Sequence, residues 1–484
     1  MRITFLISGI LFWANTFAQN NFYATYDFFN RNDFGSVITE NQGNLLIFGS
    51  TTRGGYASKF LSIDSLGQIQ FHKHYTVTTD DQDGGGVFND STYYGFGAHY
   101  EPSEGAADSH IHFINSSGDS LKTQIYNLAY NDRIHDLHLK ADSTFIAYGF
   151  YTDTIPAERK PYIANIDTAG NILWFKTHSK LNHDAEIKNM QPTPDGGYVF
   201  SGTEEETPGS HTDIFLTKVD SVGDLVWKQY YHEAFSQRGG HVEVLADGNF
   251  AVFGTGYTPH NADRAILKIN GINGNLIWRQ KHGTNLDEGY IVGKELPSGN
   301  FICAGTSIRT YNNMLIDDVN LSMLDSTGNL LWSRDYNYHG LGTNEYVKDL
   351  IVTSDGGFAM TGFILNAPGG RGNDVFVLKT DANGLITSLN SGFREVTPDM
   401  RVYPNPTQGI VNIPYVEGLE QIEVYDLSGS RYDFLSSRVS QPKVGKYQEG
   451  DKKSLDLTNL SDGIYILKLT MQNGEVFSKK VIKK

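Results

Sequence analysis

A hydrophobic run that closes on a glycine returns seven times along the chain, at Gly49, Gly97, Gly149, Gly202, Gly254, Gly305 and Gly362. The intervals are 48, 52, 53, 52, 51 and 57 residues. A second glycine ends an Asp- or Asn-led turn and keeps its own register: Gly67, Gly118, Gly170, Gly223, Gly274, Gly328 and Gly384, spaced 51, 52, 53, 51, 54 and 56. Two registers with one period of about 50 imply one supersecondary unit copied seven times, each copy burying its apolar faces against its neighbours.

That period suits a four-stranded propeller blade, as in kelch-type arrays. Asp184 to Tyr231 reads as one blade. Ala185–Met190 is the innermost strand, Pro194-Asp195-Gly196-Gly197 a hairpin turn, and Tyr198–Gly202 the second strand. A polar loop, Thr203–Thr212, leads to a third strand at Ile214–Val219. Asp220 to Gly223 turns the chain into an outer strand at Leu225–Tyr230. The expected fold is all-β: a seven-bladed β-propeller over residues 21–391. The seventh repeat has no outer strand of the usual kind, since Gly384 is followed by no Trp. Phe22 to Phe28 is an aromatic strand without a blade, so it is expected to close the ring and remove the open edge.

Composition narrows the partners. Charged residues are 19% and aromatics 12%, which excludes a disordered chain. Residues 398–484 carry 12 basic and 11 acidic residues, leaving 27 basic and 44 acidic in the remainder, a balance of −17. So acidic a body repels phosphate backbones and anionic membrane surfaces. Arg2, the 11-residue apolar run Ile3–Trp13 and the small residues Thr16 and Ala18 read as a signal peptide, 1–18, cut between Ala18 and Gln19. No other apolar run reaches the 18 or so residues of a membrane span, so no transmembrane segment is expected. Cys303 is the one cysteine, so no internal disulfide can form, and its apolar strand suggests a buried side chain.

Residues 392–400 read as a linker. Beyond it the 50-residue period stops, and short strands at Val411–Ile413, Ile422–Tyr425, Ser454–Leu457, Gly463–Leu469 and Glu475–Ile482 predict a small antiparallel, Ig-like β-sandwich over 401–484. It carries Tyr403-Pro404-Asn405-Pro406, Gly409, Asp426 and Gly429, Gly463 with Tyr465, and a Lys-rich end that includes Lys479 and Lys480. In this order at the end of the chain, these motifs resemble the type A C-terminal sorting domain of the Bacteroidota type IX secretion system. The stretch Ser436–Lys453 is longer than usual there and is read as a loop insertion. The resemblance implies export across the outer membrane, contact with the secretion machinery and a sorting protease, removal of the C-terminal domain, and a mature protein linked to surface lipopolysaccharide or released. The repeats resemble secreted bacterial propeller-repeat proteins, through Asp-Gly-Gly-aromatic and the Gly-to-Trp spacing of Trp174, Trp227, Trp278 and Trp332.

Several constellations invite chemistry. The four Trp could form a sugar-stacking platform, but their common register points to packing between blades. The turn spacing departs from sialidase Asp-boxes, and seven repeats with one Cys disfavour a quinone cofactor. Asp33, Asp83, Asp132, Asp184 and Glu345 precede the inner strands; carboxylates converging on a channel mouth could bind calcium or do acid–base work, but their near-periodicity reads as turn and strand capping. Asp80-Asp81-Gln82-Asp83-Gly84 has a calcium-loop flavour without the spaced Glu. His110-Ile111-His112 reads as a polar surface strand. No metal site or other cofactor is assigned, with calcium at Asp80–Gly84 as the minor alternative. No nucleophile elbow or phosphate loop occurs, and no catalytic residue is assigned. The non-periodic loops after the second strands are the expected ligand site: Tyr100, Glu101, Tyr151, Glu204, Glu205, Tyr257, His260, Arg309 and Tyr311. The expected role is binding of a glycan or a surface protein. The alternative is a glycan-degrading hydrolase or lyase with an acidic pocket on one face.

Overall fold

The computed structural model describes residues 21–27, 32–51, 57–75, 81–88, 92–101, 106–126, 131–152, 160–178, 185–205, 211–258, 261–283, 286–311, 314–337, 343–365, 372–386, 402–414, 419–426, 431–432, 452–471 and 476–484. The signal segment and the linker lie outside these residues. The chain divides into two compact units, Met1–Arg394 and Glu395–Lys484.

In the first unit, the described strands form seven four-stranded antiparallel sheets, the blades of a seven-bladed β-propeller. Blades 1 to 6 begin with inner strands Asp33–Asn41, Asp81–Phe88, Asn131–Leu139, Ala185–Pro192, Gln237–Val244 and Gly289–Glu295, and each runs outward in chain order. Blade 7 takes Asn344–Val352, Phe358–Leu365 and Asp374–Thr380 from its own repeat, and Phe22–Tyr26 from the other end of the chain. Ala24 pairs with Val377 at the centre of that junction. In blade 4 the second strand runs to Glu205, because Thr203, Glu204 and Glu205 pair with Ile214, Asp213 and Thr212.

Each propeller core lies between two blades rather than within one. Leu46, Phe48 and Phe60 of blade 1 meet Tyr93 and Ile114 of blade 2. Phe22, Ala24 and Tyr26 meet Leu45, Ile47 and Leu61 across the closing seam. Middle strands are therefore covered on both faces, which is why they read as unbroken apolar runs. His110 and His112 correct one expectation: both are fully buried, not at the surface. They lie on the third strand of blade 2 and face blade 1, where His110 Nε2 is 3.3 Å from Ser58 Oγ and the His112 ring packs on Tyr75. Burial pushes His112 down to about 4. Cys303 is also fully buried, and burial raises its thiol pKa.

A repeated contact joins the outer strands. The turn into each outer strand is organised by an Asx side chain; Asp220 Oδ1, for example, accepts from Val222 N at 3.0 Å and Asp224 N at 2.9 Å. Gly223 closes this turn at φ 81°, a conformation that costs other residues energy. The half-buried Trp174 of blade 3 lies on that glycine, 2.7 Å from where a Cβ would stand. Trp227 meets Gly274 in the same way, Trp278 meets Gly328, Trp332 meets Gly384 and Phe71 meets Gly118. The residue at the far end of the outer strand then bonds the glycine carbonyl, as Tyr231 Oη does to Gly274 O at 2.8 Å and Tyr75 Oη to Gly118 O at 2.7 Å. Phe22 and Tyr26 repeat both contacts on Gly67, with Tyr26 Oη donating at 2.9 Å.

Two outcomes follow. Deleting Asn21–Asp27 uncovers the edge of Asp374–Thr380 and should lower the melting temperature and produce oligomers in light scattering; an unchanged, monodisperse variant contradicts the closure. Trp227→Ala should cost about 2–4 kcal/mol in denaturant unfolding, near the low end for an aromatic truncation because the ring is half-buried.

Candidate functional site

The seven inner strands surround a cavity of about 890 Å³ on the propeller axis. Each carries a register irregularity at the same level, between Gly35 and Val37 in blade 1, Ile134 and Asp136 in blade 3, Ile187 and Asn189 in blade 4, and Val347 and Asp349 in blade 7, for example. A bulge inserts a residue that has no partner across the ladder and re-aims it. Here Ser36, His135, Lys188 and Lys348 are those residues, and all four line the cavity.

The first glycine register of the sequence exists because of this bulge. A Cβ on Gly49, Gly149, Gly202, Gly254, Gly305 or Gly362 would overlap the backbone carbonyl of Phe34, Arg133, Glu186, Arg238, Gly289 or Tyr346. Only glycine lets the second strand pass that close.

The residue after the bulge ties one blade to the next. Asn189 Oδ1 accepts from Val242 N of blade 5 at 3.1 Å, and Asp349 Oδ2 accepts from Ile38 N of blade 1 at 2.9 Å. Val242 and Ile38 hold equivalent places in their ladders. Asp136 accepts from Leu137 N at 2.8 Å and from the Tyr148 hydroxyl. Burial pushes Asp136 up to about 7, helped by the charge of Asp349 and opposed by the Leu137 N–H and Lys294. Burial also pushes Asp349 up to about 6, against the Ile38 N–H and Lys294. Lys294 Nζ lies 3.2 Å from Glu243 Oε2 and 3.3 Å from His241 Nε2. Burial and the Lys294 charge hold His241 neutral, well below its ordinary value.

Toward one end the lining holds Arg238, Tyr257, Asp317 and Tyr346. Arg238 stands over the Tyr257 ring at 5.6 Å. Tyr346 stacks on Phe363 at 5.3 Å and donates to Asp317 Oδ2 at 2.6 Å. Tyrosine faces beside charged groups offer stacking and hydrogen bonds together.

Of the expected loop residues, Tyr257 reaches this cavity. Tyr151 packs edge-on against Phe175 at 5.7 Å, with Lys160 over its ring. Glu204 is fully buried, paired with Lys228 and accepting from Tyr230 Oη at 2.7 Å. It stands across the ladder from Ala185, at the level where blades 1, 3 and 7 bury Asp33, Asp132 and Glu345. These three acids lie inside the inner strands rather than capping them, and Asp33 pairs with the buried Lys59 at 2.9 Å. Glu205 is half-buried at a strand end. Tyr100, Glu101, Arg309 and Tyr311 lie on strands, with side chains outside the description, and His260 lies outside the described residues, as does Asp80. Among the described residues, no three His, Cys, Asp or Glu side chains are arranged to hold a metal ion. Lys188, Arg238, Lys294, Lys348, Asp136 and Asp349 were not singled out in the sequence. Their signal is a column: Lys188 and Lys348 each stand 14 positions before the glycine of their blade, Gly202 and Gly362.

In the second unit, Ile410–Pro414 pairs with Lys452–Asp456, and Arg431–Tyr432, Leu419–Asp426, Gly463–Met471 and Val476–Lys483 form a four-stranded sheet. Asn405 clamps the last strand with both ends of its amide: Nδ2 donates to Lys480 O at 2.8 Å, and Oδ1 accepts from Ile482 N at 2.9 Å. The flanking Pro404 and Pro406 have no N–H to compete for these partners. Tyr403 exchanges backbone bonds with Asn412, Gly409 O accepts from Leu457 N at 2.7 Å, and Asp426 accepts from Tyr432 Oη. Tyr465 is buried and bonds Ser461 O at 2.7 Å, while the Lys480 side chain is exposed and that of Lys479 half-buried. Gly463 opens its strand; Gly429, Ala18 and Gln19 lie outside the described residues.

Residues 401–484 match the family model described as a secretion system C-terminal sorting domain. The structure is similar to the β-propeller domain of the Trilobed protease from Pyrococcus furiosus, at 11% identity and a TM-score of 0.42, covering 74% of this chain and 99% of that one. It is also similar to a PL25 ulvan lyase, at 11% identity and a TM-score of 0.48, covering 72% and 95%. No curated protein matches the sequence.

The raised acids give a pH test. A carboxyl with a folded pKa of about 6 or 7 holds a proton that the unfolded chain, at about 3.9, has released. Its contribution is therefore full below about pH 4 and lost as pH rises through 6 to 7. Asp136→Asn with Asp349→Asn keeps an oxygen for the backbone N–H groups, as Asn189 does, and removes the charge. The melting temperature of this double variant relative to wild type should rise from pH 4 to pH 7.5. A difference that does not change with pH contradicts the assignment.

Proposed function

We propose, from the premise that residues 401–484 are a type IX secretion C-terminal sorting domain and the chain is sent to the cell surface or beyond, that the propeller is a glycan-binding module whose site is the axial cavity. The observation that carries this reading is the shared bulge, which places side chains from separate blades around one 890 Å³ space. Ligand cavities commonly hold about 300–1,000 Å³, whereas a protein partner needs a face of roughly 800 Å². Tyr257 and Tyr346 at one end supply ring faces for sugars. Tyr257→Ala and Tyr346→Ala should each weaken binding of a glycan identified on an array about tenfold in calorimetry, or about 1.4 kcal/mol. Wild-type affinity in both variants removes the cavity from the binding site.

A second reading rests on Asp136 and Asp349, acids that hold protons near neutrality as a glycosidase general acid must. Their oxygens already serve backbone and Tyr148 donors, which favours binding over catalysis. Release of reducing ends or unsaturated products from a bound polysaccharide, lost in Asp349→Asn, would reverse that preference.

For delivery, we infer that the signal at 1–18 takes the chain to the periplasm and that the sandwich carries it across the outer membrane. A chain cut after Asp399 should fold and stop in the periplasm, and removal of Lys479–Lys484 should block export with the propeller intact. Asn405→Ala frees the last strand from its clamp and should lower export. The check is fractionation in a host with type IX secretion; surface levels equal to full length would make the sandwich an ordinary accessory domain.

A further inference from the structure

We propose that the axial cavity selects anionic glycans, those bearing carboxylate or sulfate groups; this rests on the reading of the cavity as the glycan site. The chain outside residues 398–484 has 27 basic and 44 acidic residues. The cavity lining is closer to balance, with four bases, Lys188, Arg238, Lys294 and Lys348, against five acids, Asp136, Asp287, Glu288, Asp317 and Asp349.

The two signs are also used differently. Asp349 accepts from Ile38 N and Leu350 N, Asp136 from Leu137 N, Asp287 from Ala262 N at 2.8 Å, and Asp317 from Tyr346 Oη. Glu288 is buried. Asp136, Asp287, Asp317 and Asp349 are therefore each tied to a protein donor. Asp136 and Asp349, raised to about 7 and about 6, also carry less than full charge near neutrality.

The cations sit where a ligand would meet them. Lys188 and Lys348 are the bulge residues of blades 4 and 7, and both are exposed in the cavity wall. Arg238 is exposed beside the bulge of blade 5, its guanidinium over the Tyr257 face. Lys188 also pairs with Glu186 at 2.7 Å, at partly exposed positions where such a pair is weak. A planar guanidinium matches a carboxylate or sulfate with two parallel hydrogen bonds. Ammonium groups from two other blades add attraction inside a walled space, where the field is focused. A neutral sugar would meet the same tyrosines and accept hydrogen bonds from the three cations, but without the attraction between opposite charges.

The test uses the chain without its signal peptide, residues 19–484, and three trisaccharides of equal length: maltotriose, sulfated maltotriose and trigalacturonate, titrated by calorimetry at 50 and 200 mM salt. Either anionic sugar should bind at least tenfold tighter than maltotriose, with affinity falling as salt rises. The sulfated and uronate arms tell which anion is preferred. Lys348→Met and Arg238→Gln should each cost at least tenfold on the preferred anionic sugar and flatten its salt dependence, with melting temperatures held near wild type. Equal affinity for neutral and anionic sugars overturns the selectivity but leaves the cavity as a glycan site. Failure of every trisaccharide to bind overturns both readings.

Discussion

The contact on which the ring depends is a side chain of one blade seated on a turn glycine of the next, an aromatic ring at every such glycine except Gly170, where Gln124 takes its place. It needs an Asx-organised turn, a glycine with positive φ and a flat side chain four positions into the neighbouring repeat, and the period of about 50 supplies all three. No blade has a core of its own; Val199, Leu216 and Tyr231 of blade 4 are buried only because blade 5 brings Val242, Val252 and Leu267. A chain built this way is stable only as a set, so an unclosed seventh seam would expose both a sheet edge and half a core. Phe22 and Tyr26 meet this requirement by forming on Gly67 the contact that Phe71 and Tyr75 form on Gly118.

A second constraint, the glycine of the second strand, connects this scaffold to chemistry. It lets the inner-strand carbonyl come close, the carbonyl position accompanies the bulge, and the bulge turns an extra side chain toward the axis. The identity of that side chain differs among blades as Ser36, His135, Lys188 and Lys348, and of these His135 also reaches Ile187 O of the next blade at 3.1 Å. The residue that follows is partly constrained: Asn189 and Asp349 both reach the backbone of the next blade, but one is neutral and the other costs a buried charge. Variation at the first position with restraint at the second is what a repeat scaffold needs to carry a ligand site without losing its ring.

The legible part of the sequence was the part that symmetry repeats. Blade number, the Gly67-to-Gly384 turn register and the closing strand at Phe22 could be read, because each copy confirms the others and one strand was missing at the end. The sorting sandwich was legible for a different reason: Asn405, Gly409 and Tyr465 each hold a particular backbone group, so their order is a motif. The cavity was not legible. Lys188 and Lys348 lie in strands, not loops, and their one signal is a shared place 14 positions before Gly202 and Gly362, which marks a column without telling that it faces the axis. Glu204 looked like a loop acid and is a buried partner of Lys228, since its carboxylate occupies the level that Ala185 leaves without one. His110 and His112 looked exposed, because alternation along one strand does not tell that a neighbouring blade covers the polar face.

The central claim is that the first strand of the chain closes the ring beside the last repeat, and a covalent bond across that junction tests it most directly. Ala24 and Val377 are opposite partners in the ladder, and the one native cysteine, Cys303, is buried elsewhere. Cysteines placed at 24 and 377 should oxidise within one chain, and closing so long a loop should raise the melting temperature markedly, by up to about 5 kcal/mol of stability in the loop-entropy picture. Thiols that stay reduced under mild oxidant, or that cross-link only between chains, would show that Phe22–Tyr26 does not lie beside Asp374–Thr380.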